Sequence, residues 1–240
     1  ASDVYALLPV TRRFIHLEEG DSAEITRDEV RVYSDDGILV ERPESISELS
    51  AESSEKCGYK HFMLKEIFSQ AMVVGETMEG RIERGLIADS AFGSNAAEVF
   101  DSIDSVTIVA CGTSYHAGLV AKYWMEDIAG VPCAVEIASE FRYRKPVVNK
   151  DSLLVTISQS GETADTLAAL KQAKEWGYAH SLAICNVPES SLTRESELVF
   201  MTRAGPEIGV ASTKAFTTQL VALMMLVMAL GRRRQLPKEM

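Results

Sequence analysis

The stretch SLLVTISQSGETADTLAALKQAKEW, residues 152–176, contains the pattern that decides the fold. Residues 153–158 are a short, almost wholly apolar run, which predicts a strand buried on both faces. A polar loop with Ser158, Ser160 and Gly161 follows, and a helical pattern then covers residues 163–176. A strand, a polar loop and a helix in this order are typical of a parallel α/β unit.

The same order recurs from about residue 94 to the last helix. The predicted strands are residues 106–110, 133–137, 153–158, 181–185 and 198–201, and the predicted helices are residues 115–128, 163–176 and 213–230. Short apolar strands that alternate with helices predict an α/β fold with a five-stranded parallel sheet and helices on both faces, a three-layer α/β/α arrangement. In such sheets ligands bind beyond the carboxyl ends of the strands, where loops lead into helices.

Two of these loops combine a glycine with hydroxyl side chains at a predicted helix start. Cys111-Gly-Thr-Ser follows the first strand, and Ser158-Gln-Ser-Gly-Glu-Thr follows the third. Backbone N–H groups and the helix dipole favour an anion at such positions, and hydroxyls donate to phosphate without carrying charge. The sequence therefore predicts a phosphate site built without arginine. Helix capping remains an alternative, because Ser and Thr are also preferred N-caps.

A third loop, residues 205–215 (GPEIGVASTKA), leads from the last strand into the last helix. It is long and polar and contains two glycines, so it is suited to folding over a sugar. Ser212 and Thr213 are equally suited to capping the helix. The residues alone leave both alternatives open.

The first part of the chain has the pattern of β structure followed by a linker. Residues 30–34 and 38–40 flank Asp35-Asp36-Gly37, which predicts a hairpin. Residues 44–60 are rich in Ser and Glu and poor in large apolar groups, which indicates a linker. Apolar residues then recur at helical spacing and predict an amphipathic linker helix: Phe62, Met63, Ile67, Phe68 and Ala71.

Composition disfavours several functional classes. The net charge of −11 argues against a nucleic-acid partner, whose phosphates would be repelled. Cys57, Cys111, Cys133 and Cys185 show no metal-ligand spacing, so neither a metal site nor a disulfide scaffold is expected, and a reducing cytoplasm fits. The apolar run at residues 220–230 is half of the ~20 residues that span a bilayer and predicts a core helix, not a membrane segment. Neither a Walker loop nor a dinucleotide loop is present, so no cofactor is expected.

Four strings resemble the glutamine–fructose-6-phosphate aminotransferase family, also called glucosamine-6-phosphate synthases. They are Cys111-Gly-Thr-Ser, residues 136–144 (EIASEFRYR), residues 158–166 (SQSGETADT) and residues 207–219 (EIGVASTKAFTTQ). Residues 6–14 (ALLPVTRRF) resemble the end of the family's glutaminase domain, and residues 61–67 (HFMLKEI) resemble its interdomain segment. The matches cover nearly the whole chain in the family's order. SQSGET alone would indicate only a sugar isomerase (SIS) domain.

The resemblance implies a domain order and a set of ligand contacts. Residues 1–43 would be the last piece of a glutaminase domain, 44–93 a linker and interdomain helix, 94–231 a first SIS domain and 232–240 the start of a connection to a second. By resemblance, the phosphate would be held by Ser114, Ser158, Gln159, Ser160 and Thr163. The sugar would be contacted by Thr113, the backbone of Val210, and Ser212.

The resemblance also implies an activity that this chain performs only in part. The family converts fructose 6-phosphate and L-glutamine to glucosamine 6-phosphate and L-glutamate, in the cytoplasm and as a homodimer. Its catalytic groups lie outside the matched strings, so we expect the chain to bind fructose 6-phosphate, glucose 6-phosphate or glucosamine 6-phosphate without turnover, and we assign no catalytic residue. A non-catalytic SIS sugar-phosphate sensor is an alternative. A stand-alone isomerase is another, and it would need a base such as Glu162 or Glu207 at the sugar.

Overall fold

The computed structural model describes residues 7–8, 10–47 and 56–234. The chain divides into two compact units, Ala1–Glu55 and Lys56–Met240.

The first unit consists of two small antiparallel sheets. Strand β1 (Arg13–Ile15) pairs with β5 (Glu44–Ile46), and β2 (Ser22–Ile25), β3 (Val30–Tyr33) and β4 (Leu39–Val40) form the other sheet. The predicted hairpin is confirmed, since Val32 lies opposite Val40 across the turn. Glu44–Ile46 was expected to be linker but forms a strand, because its backbone pairs with β1, a partner 31 residues away at Phe14–Ser45. The division into domains stays a prediction.

A five-stranded parallel sheet forms the centre of the second unit, in the order β12-β11-β10-β8-β9. Its strands are β8 (Ser105–Ala110), β9 (Cys133–Ile137), β10 (Ser152–Ser158), β11 (His180–Cys185) and β12 (Leu198–Met201). They confirm the five predicted strands to within one residue at each end. A small hairpin of β6 (Ile82–Glu83) and β7 (Leu86–Ile87) precedes the sheet.

Seven helices belong to the described part of this unit, and they cover both faces of the sheet. They are α1 (Phe62–Met78), α2 (Ala96–Ser102), α3 (Gly112–Asp127), α4 (Ala138–Phe141), α5 (Ala164–Trp176), α6 (Ser191–Glu195) and α7 (Lys214–Arg234), together with a 3₁₀ turn at Asp89–Phe92. Helix α3 begins three residues earlier than predicted, directly after Cys111, and α7 continues past the predicted end into its arginines.

The apolar strands explain why both faces are covered. All seven residues of β10 are buried, and successive side chains of a strand point to opposite faces. Leu153 therefore packs with α3 and α7 on one face, whereas Leu154 packs with α4 and α5 on the other. This arrangement confirms the predicted three-layer α/β/α fold.

Helix α7 is long and apolar enough by composition to cross a membrane, but 67 % of that window is buried within the chain. Ala222, Leu223 and Leu226 lie in the core below β8 and β10. The expected core helix is therefore confirmed.

Helix α1 is also confirmed, but its apolar side does not face the core. Glu66, Val73 and Thr77 are the buried residues of this helix. Ile67 and Phe68, which carried the amphipathic pattern, are exposed by 44 % and 67 %. Polar contacts attach the inner side instead, because Thr77 Oγ1 donates to the Thr202 carbonyl oxygen (2.6 Å).

The carboxyl end of α7 is fixed by ion pairs. Arg233 contacts Asp89 (2.8 Å) and Asp101 (2.6 Å), and its side chain is 17 % exposed. Arg232 also pairs with Asp89, and Arg234 donates to the Ile103 carbonyl oxygen (2.6 Å). These contacts join the last turn of α7 to α2 and the 3₁₀ turn.

We predict that Arg233→Ala lowers the free energy of unfolding by about 1–3 kcal/mol, because Asp89, whose side chain is only 18 % exposed, loses a charged donor. Urea denaturation followed by circular dichroism measures the change. Lys122→Ala is the control, since Lys122 pairs with Glu126 on the exposed side of α3 and its loss costs less than about 0.5 kcal/mol. Equal losses from the two variants would contradict the structural role of Arg233.

Candidate sugar-phosphate site

The first two candidate loops lie next to each other because β8 and β10 are neighbours. Ala110 at the end of β8 is in register with Ile157 near the end of β10, and the two strands run in the same direction. The carboxyl ends of parallel strands meet at one edge of a sheet. Thr113 and Ser114 at the start of α3 are therefore brought beside the loop at 158–163 that leads into α5.

The loop at 158–163 is shaped by its own hydroxyl groups. Ser158 Oγ accepts a hydrogen bond from the Gly161 N–H (2.9 Å) and lies 3.1 Å from Thr163 Oγ1. Ser160 Oγ accepts from the Glu162 N–H (3.2 Å). A hydroxyl that accepts from a backbone N–H keeps its own proton for donation. Ser160 therefore keeps a donor for a ligand, and the Ser158–Thr163 pair keeps one more.

Both helix starts lack the side-chain cap that the alternative interpretation required. Cys111 is the N-cap residue of α3 and Thr163 is that of α5, and neither side chain caps its helix. The first N–H groups of a helix have no partner within the helix, and the helix dipole makes this end positive. Two such ends on neighbouring strands form a site suited to a phosphate dianion.

Gly161 allows the loop to pack closely on the next strand connection. Its φ is +69°, and a Cβ atom there would lie 2.1 Å from Ser190 Oγ and 2.8 Å from Cys185 Sγ. Burial raises the pKa of the Cys185 thiol, so this cysteine is a packing group rather than a nucleophile. Glu162 adds a further anchor, because its Oε1 accepts from the Ser191 N–H (2.7 Å).

The third candidate loop also follows a strand at this edge of the sheet, and its strand β12 is separated from β10 by β11. Val210 is fully exposed. Ser212 Oγ donates to Glu207 Oε2 (2.9 Å). Glu207 Oε1 accepts from the N–H groups of Thr213 (2.9 Å) and Ala215 (3.0 Å). The carboxylate of Glu207 therefore caps α7, and the Ser212 hydroxyl is not itself the cap.

These contacts bear on the stand-alone isomerase alternative. The Glu162 carboxylate caps α6 and the Glu207 carboxylate caps α7. Each of these carboxylates is engaged by a backbone N–H group at a helix start, which disfavours either one as the base at a sugar. The basic side chains of residues 142–144 are also occupied, because Arg142 pairs with Asp165 (2.8 Å) and Arg144 with Glu136.

Two residues that hold the third loop were not among the sequence-based candidates. Asn186 directly follows β11; its Oδ1 accepts from the Ala204 N–H (2.7 Å), and its Nδ2 donates to the Gly205 carbonyl oxygen (2.7 Å). The position of Asn186 at the carboxyl end of a central strand is the signal that could have identified it. Glu66 on α1 accepts from the Ile208 N–H (2.6 Å). No local sequence pattern predicts this contact, because the two residues are 142 positions apart.

The chain is similar to a protein-family model and to several known proteins. The family model of the SIS domain matches residues 100–229. A glutamine–fructose-6-phosphate aminotransferase (isomerizing) from Idiomarina loihiensis is 59 % identical over 239 residues, which are 100 % of this chain and 39 % of that protein. The protein of the same name from Vibrio vulnificus strain CMCP6 is 62 % identical over 234 residues, 98 % of this chain and 38 % of that protein.

A solved structure is similar as well. The C-terminal domain of glucosamine-fructose-6-phosphate aminotransferase from Francisella tularensis superposes with a TM-score of 0.75 at 54 % sequence identity, covering 78 % of this chain and 52 % of that one. The chain therefore spans about 39 % of the curated relatives it matches and about half of this structure.

We predict that Gly161→Ala destabilises the chain by more than Gly177→Ala. Both glycines have positive φ, +69° and +94°, but the space around Gly177 is open to 4 Å. Gly177→Ala costs about 1–2 kcal/mol for the left-handed backbone alone, whereas Gly161→Ala adds an overpacking cost of about 1–3 kcal/mol. Urea denaturation of both variants measures the difference, and equal costs would show that the contact with Ser190 is not close.

Proposed function

The chain belongs to the SIS domain family, and we propose that it is the sugar-phosphate-binding portion of a glutamine–fructose-6-phosphate aminotransferase. The reaction of that enzyme converts fructose 6-phosphate and L-glutamine to glucosamine 6-phosphate and L-glutamate. Support comes from relatives of that name at 59–62 % identity that match the chain over almost its whole length.

One observation carries the binding proposal. The amino ends of α3 and α5 follow neighbouring parallel strands and lack N-cap side-chain bonds. Hydroxyl groups flank both ends, and a hydrogen bond to a charged group contributes about 1.5–3 kcal/mol. Local donors of this kind hold an anion on a chain with a net charge of −11, for which the distant field is unfavourable.

The ligand contacts that we propose are those implied by the resemblance. We assign the phosphate to five residues: Ser114, Ser158, Gln159, Ser160 and Thr163. We assign the sugar to Thr113, the backbone of Val210, and Ser212. Glucose 6-phosphate and glucosamine 6-phosphate share the phosphate and fit the same contacts.

The chemical step is assigned to the remainder of the longer protein. Within the described residues, the two loop carboxylates that lie nearest in sequence to the assigned contacts, Glu162 and Glu207, cap helices. We therefore propose that the chain alone binds the sugar phosphate without turnover. A cytoplasmic homodimer completes the proposal, in agreement with the resemblance.

We predict that fructose 6-phosphate binds saturably to the chain in isothermal titration calorimetry, and that Ser158→Ala/Ser160→Ala loses this binding. Two hydrogen bonds to a charged group, at about 1.5–3 kcal/mol each, correspond to a loss of about 100-fold or more in affinity. Glucose 6-phosphate is expected to behave in the same way.

Ser102→Ala is the matched control, because Ser102 lies on α2 and its hydroxyl bonds only the nearby Val99 carbonyl oxygen (2.8 Å) among the described residues. Circular dichroism checks that each variant is folded. A folded chain that does not bind fructose 6-phosphate, or a double variant that binds it as tightly as the unchanged chain, would overturn the proposed site.

A further inference from the structure

Side chains hold the loop between β12 and α7, residues 202–213, at its start, middle and end. Asn186 fixes its start through Ala204 and Gly205, and Glu207 fixes its end through Thr213. The middle is held by a residue from outside the loop and the sheet. Glu66 Oε1, from α1, accepts from the N–H groups of Ile208 (2.6 Å) and Gly209 (3.1 Å).

The contact between α1 and this loop is closely packed. A Cβ atom at Gly209 would lie 2.5 Å from Glu66 Oε2 and 3.5 Å from the Met63 Cα atom. The backbone of the loop therefore rests directly on α1, with no side chain between them. Val210 is the next residue, so its backbone position follows from this contact.

Glu66 is unusual for a charged residue, because it lies on the buried side of α1 with Val73 and Thr77 and is only 3 % exposed. Charged groups are seldom buried to this extent without partners. Its Oε2 has no hydrogen-bond partner among the described residues. Lys214, 6 % exposed at the start of α7, is attracted electrostatically by both Glu66 and Glu207. The buried carboxylate of Glu66 therefore accepts hydrogen bonds from the loop backbone and not from solvent.

We propose that Glu66 is a positioning residue for sugar recognition: its carboxylate fixes residues 208–209 on α1, and this contact holds the Val210 backbone and Ser212 in place for the sugar. The inference rests on the proposed function. Helix α1 is then part of the sugar-binding site as well as a connection between segments. The phosphate contacts on α3 and α5 do not depend on Glu66.

This separation of the two subsites defines the test. The full 240-residue chain is titrated with fructose 6-phosphate and with inorganic phosphate. Glu66→Ala is expected to weaken fructose 6-phosphate binding by about tenfold and to leave inorganic phosphate binding unchanged. Glu66→Gln keeps an acceptor oxygen and the side-chain volume, so it restores most of the affinity. Glu76→Ala, an exposed acid on the same helix, is the control and is expected to have no effect on either ligand.

Gly209→Ala tests the same contact from the other side and does not remove a buried charge. The added methyl group meets Glu66 Oε2 and moves the loop off α1, so the same selective loss is expected. Faster hydrogen–deuterium exchange at Ile208 and Gly209 in both Glu66→Ala and Gly209→Ala, but not in Glu66→Gln, would report the released loop directly.

Three results decide between the two proposals. Selective loss of fructose 6-phosphate affinity in Glu66→Ala and Gly209→Ala supports the positioning role. Unchanged affinities, or equal losses for both ligands in folded variants, overturn the positioning role and leave the proposed function standing, since the unchanged chain still binds fructose 6-phosphate. No binding of fructose 6-phosphate by the unchanged, folded chain overturns the proposed function, and the positioning role with it.

Discussion

The parallel pairing of β8 with β10 is the constraint on which the rest of the second unit depends. Almost all of their residues are buried, so neither strand can lie at a solvent-facing edge. Parallel strands need a crossover to return the chain to the same end of the sheet, and these crossovers supply the helices of both faces. The same geometry places the starts of α3 and α5 at one edge, where the hydroxyl groups gather.

The sequence was sufficient for the sheet because its signals are local. An apolar run such as residues 153–158 identifies a buried strand without reference to the rest of the chain. Glu44–Ile46 was missed because its strand exists only through pairing with Arg13–Ile15. Helix α1 was predicted from the helical spacing of its apolar residues, but that spacing does not show which side of the helix packs against the rest of the unit. Its inner side is set by polar contacts of Glu66 and Thr77 with residues more than 100 positions away.

The candidate site was likewise predictable where its residues are neighbours in sequence, and not where they are distant. Hydroxyls and glycine at a strand–helix junction indicated the two phosphate loops, since all of the relevant residues are neighbours in sequence. The sequence left open whether those hydroxyls cap the helices, because that depends on side-chain rotamers. It also gave no reason to single out Glu207 as the cap of α7 or Asn186 as the anchor of the third loop. Both roles depend on how the chain after β12 turns back towards the sheet.

The tight contact between Gly161 and Ser190 has a consequence for the thermodynamics of recognition. The loop at 158–163 is already fixed by its own hydrogen bonds and by the absence of space around Gly161. The entropy of ordering this segment is therefore lost during folding and not again when an anion arrives. An anion that binds to this preordered loop retains more of the hydrogen-bond energy as affinity than it would on a loop that becomes ordered only on binding. In the proposed site, discrimination among sugars is assigned to the more exposed loop around Val210.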